Sequence, residues 1–128
     1  MDCLVVKKIR KKINGYLKNI TDNQYEEIKE NAILTKNKLS YIKDDIKHTI
    51  LFKENEVFLI RETNIFKNIL TFSKNRSILS QYTIKENDLN VYINVKTLEL
   101  KYTEFELYVK YEILDSNTIY EYKIIMED

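Results

Sequence analysis

Several residue types are nearly or wholly missing from this chain: of 128 residues one is Cys, one is Gly and one is His, and Pro and Trp do not occur. Cys3, alone, can form no internal disulfide, which suits a reducing compartment. It reads as a small half-buried filler near a terminus rather than as a reactive thiol. One Cys and one His fall short of the three or four ligands of a zinc site, so no metal or cofactor is expected. The want of glycines leaves no loop to cradle a phosphate and no elbow for a nucleophile. His48 has no second His and only the remote Cys3 as a partner, so a Cys3–His48 catalytic pair is disfavoured. The sequence reads His48 as a surface residue opposite Ile50. No catalytic constellation is visible, and the chain is not expected to be an enzyme. Apolar runs never reach the length that crosses a bilayer, and Met1 to Leu4 lacks a signal-type apolar region, so the expected location is the cytoplasm. The lack of Pro accompanies an abundance of Lys, Ile, Asn and Tyr that we attribute to an AT-rich coding genome, and it excludes little.

What is present is a strand pattern. At 44% hydrophobic and 32% charged residues the chain is outside the disordered class, and its length suits one domain, 1–128, with a core of its own. Phe105, Leu107, Val109, Tyr111 and Ile113 alternate with Glu104, Glu106, Tyr108, Lys110 and Glu112, the two-residue period of a half-buried strand. After Asp115, Ser116 and Asn117 the alternation resumes with Tyr120, Tyr122, Ile124 and Met126 on one face. This hairpin cannot bury its apolar face unaided, so the other segments must cover and extend it.

Asn and Asp turn signals divide the rest into strands at about 24–35, 38–43, 46–53, 56–62, 66–73, 77–84 and 89–102, with a register shift expected near Thr97. The first stretch suits a strand from Leu4 to Ile13 entering a tight turn at Asn14–Gly15. Short connections favour pairing between neighbours, and closure spares a meander two exposed edges. The expected fold is therefore all-β: a small antiparallel meander barrel of about nine or ten strands. Basic residues prevail over 1–53 and acidic ones over 86–128, which favours meeting of the first and last strands through pairs such as those to Glu104, Glu106, Glu112 or Glu121.

The order Asn37-Lys38-Leu39-Ser40-Tyr41, Glu56-Val57-Phe58-Leu59-Ile60-Arg61, Ile69-Leu70-Thr71-Phe72 and Ser80-Gln81-Tyr82 resembles the YwiB-like family of uncharacterised bacterial proteins. The resemblance implies a lipocalin-like or calycin-like barrel and no known activity. Glu62-Thr63 stands where the family tends to have Ser-Gly, and Thr83-Ile84-Lys85-Glu86 where it tends to have Thr-Pro-Tyr-Gly.

Arg61 ends a strand that is apolar on both faces, where its fork of donors could reach a ligand carboxylate or phosphate, or else pair with Glu62 or Glu56. Arg76 and Tyr82, flanking the next apolar segment, complete the candidate ligand-binding set. Two functions are open. One is a cytoplasmic barrel that binds a small acidic or amphipathic ligand at its mouth or interior, which calls for a cavity with Arg61 at its wall. The other is a non-catalytic module that docks an acidic protein or RNA through Lys7, Lys8, Arg10, Lys11 and Lys12, which calls for their convergence on one surface. Neither DNA nor a membrane is an expected partner. Solvated edge protection is the plainer account of these lysines.

Overall fold

The computed structural model describes residues 7–127. It contains ten strands: β1 (Lys8–Asn19), β2 (Gln24–Thr35), β3 (Lys38–Lys43), β4 (Ile46–Lys53), β5 (Glu56–Glu62), β6 (Phe66–Phe72), β7 (Ser77–Ile84), β8 (Leu89–Tyr102), β9 (Glu106–Ile113) and β10 (Thr118–Glu127). Among the described residues the one helical element is a 3-10 turn at Lys85–Asn87. Each strand pairs antiparallel with its neighbour in sequence, and β1 pairs with β10 to close the barrel. This is the meander expected from the short connections.

Most turns work without glycine because Asn and Asp tolerate the left-handed backbone, and in the β2–β3 turn Lys36 adopts it. Asn23, Asp44, Asp45, Asn55, Asn75, Asp88 and Asn117 all have positive φ. Asp44 and Asp45 do so consecutively, between the paired Lys43 and Ile46, as a two-residue hairpin requires. The register of β8 against β9 shifts between Thr97 and Glu99, where the sequence led us to expect it.

Asn14–Gly15 is not a turn. β1 runs straight through it, and the chain reverses only after Asn19. Gly15 is there because the backbone of β10 comes close: a Cβ on residue 15 would lie 1.8 Å from the Lys123 carbonyl oxygen. The part of the expected first strand before Lys7, and Cys3 with it, lies outside the described residues. Phe105 is also corrected: it occupies the β8–β9 turn and is 66% exposed, and the inward row of β9 begins at Leu107.

The core follows from alternation plus closure. Leu39, Ile50, Leu59 and Leu70 face one another across β3 to β6 and are buried. Val57, Phe72, Val95, Leu107, Val109 and Ile124 fill the barrel with them. At about 25 cal/mol per Å² of apolar surface removed from water, these side chains are the main source of stability. The charge complementarity is visible at the closing seam, where Lys18 stands opposite Glu121 and Lys12 opposite Glu127.

Gly15→Ala should destabilise the protein by about 3 kcal/mol in urea unfolding, because the added methyl meets backbone that cannot yield without breaking the β1–β10 ladder. Asn14→Ala, one residue away, should cost less than about 1 kcal/mol.

Candidate functional site

One step along the strands from the buried leucine row, the chemistry of the inner face changes. Tyr41 on β3 is paired with His48 on β4, His48 with Arg61 on β5, Arg61 with Asn68 on β6, Asn68 with Tyr82 on β7, and Tyr82 with Val91 on β8. Directly paired residues of an antiparallel ladder share a face, and Tyr41 is buried, so the whole row looks inward. Its rings are stacked. Tyr41 and His48 lie 4.5 Å apart and are parallel within 4°, and Tyr82 lies on Phe66 at 5.4 Å. Across the barrel, Tyr122 of β10 shares a 2.6 Å hydrogen bond with the Tyr41 hydroxyl. Tyr111 of β9 packs between Phe72 and Tyr120.

The inward residues at this end are not fully covered. Tyr82, Ile84, Ile93, Ile113 and Tyr120 are half-buried, and Val91 is 45% exposed. Solvent therefore enters this end of the barrel, whereas the Phe72 end is filled. The flare has a cause in the pairing. Residues 24–31 of β2 have no partner on β3, and residues 89–93 of β8 have none on β9. The two prominent cavities, of about 740 and 540 Å³, lie on the outer wall and are not lined by Arg61. Neither is therefore the cavity with Arg61 at its wall that the ligand-binding reading calls for, and the inward residues around Arg61 are half-exposed at this end of the barrel.

Arg61 is the charge at the centre of this arrangement. Among the described residues no carboxylate pairs with it: Glu62 is engaged by Lys85 at 2.6 Å, and Glu26, at the mouth, by Lys43 at 2.6 Å. The Arg61 Nε, His48 Nδ1 and Asn68 Oδ1 are all buried without a hydrogen-bond partner. Such atoms cost about 1–3 kcal/mol each when nothing satisfies them. Burial pushes the Tyr111 hydroxyl up to about 12, with the nearby guanidinium pulling the other way. Burial likewise raises Tyr41 and Tyr122. All three are therefore neutral hydroxyls at physiological pH, and the only ionised group of the row is Arg61.

His48 corrects the sequence reading. It is only 9% exposed, on the same face as Ile50 rather than opposite it. The signal was available, since residues 48, 50 and 52 share a face in any strand. Burial, and secondarily Arg61, lower its pKa to about 4. Asn68 was missed as well, for it has no local signature. Tyr82 joins Arg61 in the row. Arg76 does not: it is exposed in the β6–β7 turn, at the opposite end. Lys7 lies exposed before β1, while Lys8, Arg10 and Lys12 point outward and Lys11 is half-buried. Among the described residues no three or more His, Cys, Asp or Glu side chains are grouped to hold a metal ion, and no helix is long and apolar enough to cross a membrane.

A family described as a domain of unknown function, DUF1934, matches residues 9–126. No curated protein matches the sequence. Among solved structures, the crystal structure of the ywiB protein from Bacillus subtilis superposes with a TM-score of 0.68 at 14% identity, over 95% of this chain and 94% of that one. At that identity the likeness speaks for the fold alone. Both findings agree with the resemblance read from the strand motifs.

The depressed His48 has a pH signature. The unfolded chain takes up a proton near pH 6.5, the folded one only near pH 4. Stability is therefore unaffected above about pH 6.5 and falls as the pH drops from there to about 4. His48→Phe, which keeps the ring on Tyr41, should remove a loss of about 3 kcal/mol over that window, read as the difference between the two proteins in urea unfolding. Background from Glu26, Lys43 and Asp44, which also act on His48, is common to both. In a second test, Tyr41→Phe and Tyr122→Phe should each cost about 1–2 kcal/mol, and the double variant less than their sum, because the second change removes an already orphaned hydroxyl.

Proposed function

As the chain belongs to the DUF1934 family, a domain of unknown function, we propose that it is a cytoplasmic, lipocalin-like binding barrel whose open mouth takes a small acidic or amphipathic molecule. Arg61 anchors the acidic group, and Asn68, Tyr82 and His48 contact the remainder. The observation that carries this reading is the half-buried guanidinium, with no carboxylate beside it and its Nε buried without a partner, in a row with two further unsatisfied polar atoms. Structural arginines inside proteins are ordinarily paired, since an unpaired buried charge is costly. An anion entering the mouth supplies the missing partner through charge-assisted hydrogen bonds. The half-exposed apolar side chains Ile84, Val91, Ile93 and Ile113 offer the wall that an amphipathic molecule needs. Neutral His48 adds no competing charge and can accept or donate one hydrogen bond. Arg76 has no part in this reading.

Anilinonaphthalene sulfonate, an apolar ring system bearing one anionic group, is a direct probe. Wild-type protein should bind it in fluorescence titration, and Arg61→Met should weaken binding at least tenfold. The same variant should unfold at higher urea concentration, by about 1 kcal/mol, since a half-buried charge with no carboxylate partner has been replaced by an apolar chain of similar length. Arg76→Met should change neither. Unchanged binding combined with lost stability in Arg61→Met would make Arg61 a structural residue and end this reading.

A further inference from the structure

On the outside of the barrel, a groove of about 740 Å³ crosses β1 to β4. Its construction follows from the registers. On the outer face, Lys8, Thr35 and Lys38 form one row, and Arg10, Ile33 and Ser40 the next. In the third row Lys12 stands beside Asn31, and Ile42 beside Lys47, but Asn31 and Ile42 are not paired with each other. Here β3 parts from β2, and the wall opens into a slot that reaches the inner residues Ile13 and Tyr41. Lysines occupy both banks: Lys8 and Lys12 on the β1 side, Lys38 and Lys47 on the other. The floor between them is uncharged, made of Asn31, Ile33, Thr35, Ser40 and Ile42. Glu30 is the only acid among the lining residues, and Lys29, which Glu27 pairs at 3.1 Å, the fifth lysine. Lys8, Lys12, Lys38 and Lys47 have no carboxylate within ion-pair distance among the described residues.

Cations on two facing banks over a neutral floor suit an anion that is long and narrow. Along β1 the outward side chains Lys8, Arg10 and Lys12 recur every second residue, about 6.8 Å apart, a spacing that a chain of phosphodiesters can follow. Continuing along the same face beyond Asn14 and Lys29, Tyr16 and Tyr25 lie stacked at 5.6 Å, and Tyr25 is 64% exposed. A basic channel leading to an open aromatic face is the combination that holds single strands, phosphates in the channel and bases on the rings. The hydroxyls and amides of Asn14, Asn31, Thr35 and Ser40 supply acceptors as well as donors. Acceptors have no use toward phosphate but bond a ribose 2′-hydroxyl.

We propose that this groove is a binding site for single-stranded RNA, independent of the mouth. Lys8, Lys12, Lys38 and Lys47 hold the backbone, and Tyr25 stacks a base. The site uses only part of the basic run at the N-terminal end of the chain. Its other half, Lys38 and Lys47, comes from segments brought alongside by the fold.

The test is fluorescence anisotropy with a labelled uridine 12-mer, a deoxythymidine 12-mer and a glutamate peptide of equal length, at several salt concentrations. The uridine oligomer should bind, with affinity falling on a log–log salt plot at a slope of about −3, as four or five released counterions give. Lys12→Glu with Lys38→Glu should weaken binding at least tenfold, and Tyr25→Ala severalfold. Lys101→Glu, a similar charge reversal on exposed β8 surface, should have little effect, with thermal melts confirming that all variants fold. Equal binding of the deoxythymidine oligomer would overturn the assignment to RNA. Binding of the peptide alone, or the same loss in Lys101→Glu as in the groove variant, would overturn the site.

Discussion

Closure of the sheet through the ladder between β1 and β10 is the constraint on which everything else rests. A meander of ten strands has an apolar face whatever its curvature, but it has an interior only when its two edge strands meet. The seam depends on a close approach of two backbones at Gly15 and Lys123, which only a residue without a Cβ permits. Opposite charges share its register, with Lys18 across from Glu121 and Lys12 across from Glu127, though neither pair is within ion-pair distance. The chain has a single glycine and places it at this contact, while Asn and Asp make most of the turns.

With an interior defined, the two ends of the barrel become chemically distinct over the distance of two residues per strand. Leu39, Ile50, Leu59 and Leu70 are buried and apolar, and the next inward positions are Tyr41, His48, Arg61 and Asn68. The first row stabilises the fold. The second burdens it, since it half-buries a charge and leaves polar atoms without partners. At the same end, residues 24–31 of β2 are unpaired with β3 and residues 89–93 of β8 are unpaired with β9. The same parting of β2 from β3 that widens the mouth also cuts the slot of the outer groove. Tyr41 belongs to both surroundings, lining the slot and bonding Tyr122 within.

Strand boundaries were legible because two local signals coincide: period-two alternation and turn residues that accept positive φ. Segments such as 24–35, 46–53 and 77–84 match the observed strands residue for residue. The exceptions each show a local preference overruled. Asn14–Gly15 carries a strong hairpin signal, yet twelve residue pairs with β2 on one side and eight with β10 on the other hold it extended. Phe105 continues an alternating pattern but falls where the chain must reverse between β8 and β9. His48 was legible by period and misread by residue type, since polar residues are more often outside.

Arg61 and Tyr82 could be picked out individually, one as a charge ending an apolar strand and one as an aromatic beside another. Their alignment with His48 and Asn68 could not, and neither could the facing lysine banks of the outer groove. The amino-acid sequence by itself determined an antiparallel meander of about nine or ten strands, most of the turns between them, and which side chains share a face within most strands. Which residues stand side by side on different strands, and whether a face is interior or mouth, was decided only by the tertiary structure. The reason is physical: alternation is a property of one strand's backbone, whereas register, bulges, flare and closure are set by hydrogen bonds between segments far apart in the chain.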